Sequence, residues 1–220
     1  MSYERPTLAG IQVEGRPFAL RQGGGFLVGD DVSKYQVPAK VDWSQQDVAI
    51  VRAAYATAKD ATCGAHANAA LKAGVPLIGA YLFVVQTRDP MAQLAAFRAA
   101  TEGLPLNVAP TIDLEDLSKG DDERVDTGKL LAVAQVIHAE LVARFGQCMV
   151  YTGPGFALDK LKLPQWLAES PLWLAHYTTP GHPVTWGIKP LDAWCGHQWR
   201  GKPLDASVWR SVPLIRELEA

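Results

Sequence analysis

The chain has little net charge, few cysteines and no long apolar run. A formal charge of −2 over 220 residues gives no electrostatic pull towards nucleic acid or an anionic membrane. Cys63, Cys148 and Cys195 are odd in number and widely spaced. They make neither a disulfide framework nor a CxxC zinc motif, and read as three reduced thiols. No apolar stretch approaches membrane-spanning length, so no membrane insertion is expected. The opening MSYERPTLAG lacks the basic-then-apolar pattern of a secretory signal. The protein is therefore expected to be made in the cytoplasm without a signal peptide, and to reach an outside target only after release. Histidine is scarce as well. His66, His138, His176, His182 and His197 contain no pair at metal-ligand spacing. Neither a metal nor another cofactor is expected.

What is present is the material of a globular α/β protein: 48% hydrophobic and 20% charged residues, enough to bury a sizeable core. Residues 1–26 read as an N-terminal extension, broken by Pro6 and Pro17 and ending in the joint Gly23-Gly24-Gly25. A phosphate loop there would need a preceding strand and a GK[ST] ending, and both are missing. Residues 27–220 read as one barrel domain. Apolar runs at 26–33, 48–54, 75–84, 107–115 and 148–154 predict strands. Helices are predicted between them: 62–74 stopped by Gly74, one from Pro90 to Gly103, and a long one capped by Asp126 or Thr127 and stopped by Gly146. Runs at 171–177, 193–199 and 204–209 predict three more strands, with connections read as too short for helices. Alternating strands and helices argue for a parallel sheet, and eight strands argue for closure into an irregular (β/α) barrel.

In such a barrel the site lies at the C-terminal ends of the strands. Polar and aromatic residues collect there: Asp31, Tyr81, Asp113, Glu115, Tyr151, His176, Tyr177, Gln198 and Trp199. Asp205 is the exception, because it lies near the start of its run. The segment TIDLE is the most informative. Strand alternation points Asp113 and Glu115 to one face, with Leu114 on the other. Two like charges held together are costly, and point to acid–base chemistry or a metal.

In sequence order, GDDVSKYQ (29–36), VDW (41–43), GAYLF (79–83), TIDLE (111–115), VYTGP (150–154), PLWLAHY (171–177), HQW (197–199) and LDASVW (204–209) resemble the glycoside hydrolase family 25 lysozymes. The resemblance spans about residues 28 to 210. It implies an irregular β/α barrel and hydrolysis of the β-1,4 bond between N-acetylmuramic acid and N-acetylglucosamine in bacterial peptidoglycan. It also implies that Glu115 is the proton donor, that Asp113 is its partner, and that Asp31 and Asp205 complete an acidic floor. Tyr81, Tyr151, Trp173, Tyr177, Gln198 and Trp199 are the implied substrate-binding set. The chain departs from the family in carrying Ala53, Ala54 and Leu82 where polar residues are common, so substrate contacts there are expected to differ. Glycoside hydrolysis needs an acid for the leaving oxygen and negative charge facing the oxocarbenium ion, which this acidic set can supply. A monomer suits the reading, as does a phage endolysin released by a holin. Two rival readings remain: a non-catalytic glycan-binding or structural module, and a metal-dependent phosphodiesterase using Asp31, Asp113, Glu115 and His176.

Overall fold

The computed structural model describes residues 26–201 and 204–215. The expected extension therefore lies outside the described residues except for Phe26, whose ring sits 5.8 Å from that of Trp194. The strands are β1 (Leu27–Val32), β2 (Val48–Tyr55), β3 (Ala58–Lys59), β4 (Leu77–Phe83), β5 (Thr111–Leu114), β6 (Met149–Thr152), β7 (Leu172–Ala175), β8 (Gly196–Arg200) and β9 (Asp205–Trp209). The main helices are α1 (Cys63–Ala73), α2 (Pro90–Thr101) and α3 (Thr127–Phe145), and α4 (Gln165–Ala168) and α5 (Lys189–Asp192) are single turns.

The sheet closes on itself because β1 pairs with β2 on one side and β9 on the other. Eight strands form the barrel, and the two-residue β3 only folds back on the end of β2. Seven of the eight run parallel. The expectation of an all-parallel sheet fails at β9, which is antiparallel to both β8 and β1. Only residues 201–204 separate β8 from β9, whereas a parallel connection needs a crossover of a dozen or more. The expectation of helix-free late connections also fails, since α5 lies between β7 and β8.

The helix boundaries follow from capping. Asp89 accepts a hydrogen bond from Ala92 N at the start of α2, with Pro90 in the first turn. Asp126 does the same for Lys129 N at the start of α3. Gly74 and Gly146 end α1 and α3 in left-handed conformations, φ 84° and 76°.

Period-two alternation divides the core into two layers. Outward side chains such as Ala49, Val51, Leu82, Ile112, Leu114, Val150 and Leu174 pack under the helices, together with Leu94, Leu130, Ile137 and Leu141. Inward ones fill the lumen: Val48, Ile50, Leu77, Met149, Tyr151, Trp173 and Trp209. The rings of Trp173 and Trp209 lie 5.0 Å apart, and Tyr151 meets Trp173 edge-on at 4.6 Å. Gly196 makes room for them, because a Cβ there would lie 2.5 Å from the Trp209 ring and 2.8 Å from Trp173. All three cysteines are free and buried. Among the described residues no helix is long and apolar enough to cross a membrane.

Candidate active site

Above the tryptophans the lumen turns polar. A pocket of about 150 Å3 opens there, lined by Asp31, Tyr81, Asp113, Glu115, Tyr151, Trp173, Tyr177, Gln198 and Asp205. Apart from Asp205, and from Trp173 and Gln198 set deeper in β7 and β8, they come from the C-terminal halves or ends of parallel strands. Asp205 begins the antiparallel β9 and stands directly opposite Asp31 of β1. The reversed direction of β9 brings the start of that strand to the same rim, which explains why Asp205 sits at the wrong end of its run.

The acidic tail of β5 divides by geometry. Asp113 faces the lumen and is 5% exposed. Glu115 follows in an extended conformation, and its backbone N–H donates to Ser118 Oγ at 3.0 Å. That turn carries Asp116 away to solvent, and leaves Asp113 and Glu115 hydrogen-bonded through their side chains. On the other side of the pocket, Tyr151 OH donates to Gln198 Oε1 and Gln198 Nε2 donates to Asp31 Oδ1, both at 2.8 Å. Gln198 is thereby fixed in one orientation between a phenol and a carboxylate. Trp173 forms the floor, 2% exposed, with its Nε1 donating to Ser207 Oγ at 3.0 Å. Tyr177 stands at the rim, 65% exposed.

Burial raises every carboxyl in the group. Asp31 is held well above the usual range by desolvation and then by Asp205, while the Gln198 hydrogen bond opposes. Asp113 is also held well above it, by burial and then by Glu115. Glu115 is raised by burial, against the hydrogen bond from Asp113. Asp205 moves from 3.8 to about 6 through burial and then the charge of Glu115. The set cannot carry all its negative charges near neutrality, so protons are retained between its members.

A raised carboxyl binds its proton more tightly in the folded state than in the unfolded one. Stability from this source is complete below the unfolded pKa and is lost as pH rises through about 6. Asp205→Asn removes the charge that is costly to bury. It should therefore raise the melting temperature relative to wild type more at pH 7 than at pH 4. A difference that is constant across that range, followed by calorimetry, would show that Asp205 has its ordinary acidity.

Most of the sequence-derived set meets in this pocket, but Trp199 is not among its lining residues. It sits at an irregularity of β8 between Gln198 and Arg200, with the Arg200 guanidinium 4.9 Å from its ring centre. His176 is also off the wall: its Nδ1 accepts from Val184 N, and its carbonyl accepts from His197 Nε2. The departures at Ala53, Ala54 and Leu82 belong to the layer under the helices, so they do not alter the pocket as expected. Among the described residues no three His, Cys, Asp or Glu side chains are placed to hold a metal ion. Sequence reasoning missed Arg52. It faces the lumen beside Tyr81 on the neighbouring strand, and its Nε is bonded to Asp60 Oδ2 at 2.8 Å. Its charge partly offsets the raised pKa of Asp113. The available signal was a lone cation at an inward position of an apolar strand. A larger cavity of about 580 Å3 lies beside α2, lined by Phe97, Leu104, Phe145 and Ile215 among others, and contains none of these carboxylates.

The family model described as "Glycosyl hydrolases family 25" matches residues 30–206. The chain belongs to glycosyl hydrolase family 25. It is therefore a glycoside hydrolase, and the matched span runs from Asp30 to Ala206, taking in every pocket-lining residue. Solved structures with the same fold include the bacterial lysozyme from Streptomyces coelicolor, with TM-score 0.68 and 20% identity over 85% of this chain and 93% of that one. A family 25 glycosyl hydrolase from Bacillus anthracis gives 0.67 and 19%, over 83% and 88%. The modular autolysin LytC from Streptococcus pneumoniae, in complex with a synthetic peptidoglycan ligand, gives 0.65 and 18%, over 84% of this chain and 46% of that one. No curated protein sequence matches this family 25 hydrolase.

Proposed function

We propose that this hydrolase is a lysozyme that cuts the β-1,4 bond from N-acetylmuramic acid to N-acetylglucosamine in peptidoglycan. The observation that carries the reading is the hydrogen-bonded Asp113–Glu115 pair, with both carboxyls raised, on the wall of the pocket at the strand ends. A pair that keeps a proton near neutrality can deliver it to a leaving oxygen. Glu115 is the more exposed and longer member, and is the general acid. Protonation lets the bond from C1 to oxygen break with its electrons leaving on oxygen, and the positive charge on C1 and the ring oxygen is met by carboxylate. Water then adds at C1 as its proton returns to Glu115. Asp31 and Asp205, on adjoining strands, supply that charge, and Gln198 fixes Asp31. Asp113 holds Glu115 and the substrate N-acetyl group. Tyr81, Tyr151 and Tyr177 offer apolar faces with polar edges to the sugars. The peptidoglycan ligand of the pneumococcal autolysin supports the substrate class.

The bond itself is tested by end-group chemistry. Digested peptidoglycan should carry new reducing ends on muramic acid, with stem peptides still attached. Borohydride then converts them to muramicitol. Glucosaminitol would make the enzyme a glucosaminidase, and free stem peptides on intact glycan would end the glycosidase reading of the substrate bond.

A further inference from the structure

The barrel rim holds an aromatic pair that lies outside the acid pocket. Tyr55 closes β2 and Phe83 closes β4, and their rings stack with centroids 4.6 Å apart and planes within 13°. Phe83 is buried, whereas Tyr55 is 43% exposed. Simple alternation would turn Tyr55 away from the lumen, because Val48 and Ile50 face inward and odd positions such as Val51 pack under the helices. An irregularity between Arg52 and Ala54 resets the phase. Beyond it Ala54 stands opposite Leu82, and Tyr55 opposite Phe83. A bulge of this kind re-aims side chains at the expense of regular ladder bonding. The next residue, Ala56, adopts φ 50°, a left-handed conformation that is unfavourable for a residue with a Cβ. The bulge thus sets one tyrosine on one phenylalanine, while the left-handed Ala56 is what the two-residue turn from Tyr55 into β3 requires. Bulges are over-represented next to active sites.

The platform continues the row that carries the acid. Phe83 stands opposite Asp113, and Asp113 opposite Tyr151. Tyr55 is therefore two strand spacings from Asp113, roughly 10 Å across the sheet. We propose that Tyr55, backed by Phe83, is a stacking platform for a pyranose ring of the glycan strand beyond the sugars held at the acid pocket. This rests on the lysozyme reading. The C–H face of a pyranose is apolar and its rim hydroxylated, which suits a flat aromatic face with a polar edge. The stacked phenylalanine fixes the tyrosine ring before the sugar arrives, so little rotamer freedom is lost on binding.

The test uses the full chain and glycan strands freed of stem peptides and sorted by length. For wild type, kcat/KM should rise with each added sugar until the platform is covered. Tyr55→Ala should lack that last gain, with kcat/KM on long strands about five- to tenfold below wild type. On the shortest cleaved strands it should match wild type, and Tyr55→Phe should restore the gain. Equal losses at all lengths, or no loss on long strands, would overturn the platform and leave the lysozyme reading standing. A wild-type chain that cleaves no strand of any length would remove both.

Discussion

Glu115→Gln should lower wall lysis by at least ~100-fold while leaving the fold intact. The substitution keeps the size and planarity of the side chain and removes only the transferable proton. The turn after β5 should survive, since Glu115 N–H still donates to Ser118 Oγ, and a glutamine oxygen can replace the carboxylate that accepts from the Ser118 backbone in the capping box. The fold should even gain slightly, because the Glu115 charge helps to raise both Asp113 and Asp205. Turbidity loss of purified walls, read beside a melting curve, checks both halves. Near-normal turnover by a correctly folded Glu115→Gln protein would remove Glu115 from the mechanism.

Trp173→Ala should destabilise the protein by about 3–5 kcal/mol. Trp173 is among the largest fully buried side chains and connects the two ring contacts of the lumen, to Tyr151 and to Trp209. Neighbouring strands fix the barrel radius, so the lumen cannot collapse around the space left behind. Ser207 Oγ also loses its indole donor. Against a typical total of about 5–15 kcal/mol the loss is large. A urea midpoint close to wild type, with an unchanged slope, would show that the lumen repacks freely.

The pattern of what could be read from the sequence has a physical explanation. TIDLE was legible because a regular strand alternates without exception from Thr111 to Leu114, so the shared face of Asp113 and Glu115 follows from counting. The direction of β9 was legible too, in the four residues that precede it, and would have placed Asp205 at the rim. The residues whose aim was not legible lie beside strand irregularities. One, between Arg52 and Ala54, turns Tyr55 onto the lumen side. The other, between Gln198 and Arg200, carries Trp199 off the pocket wall. An extra residue in a ladder leaves no mark in hydrophobic alternation when its neighbours are alanines or a mixed polar run. Arg52 was overlooked for a different reason: its partner Asp60 lies beyond the hairpin, and pairing across a turn is visible only once the turn is placed.

The seam between β1 and β9 has a consequence for how the protein comes into being. Leu27 pairs with Trp209, and Asp31 with Asp205, so the first barrel strand to leave the ribosome waits for the last. Until then β1 has one neighbour, the lumen lacks Trp209, and the acidic ring lacks its fourth member. Such sequence-distant closure is the slow kind of contact to form. The barrel thus closes only once β9 has been made, and a chain cut before Asp205 lacks both the seam and the fourth carboxyl of the pocket.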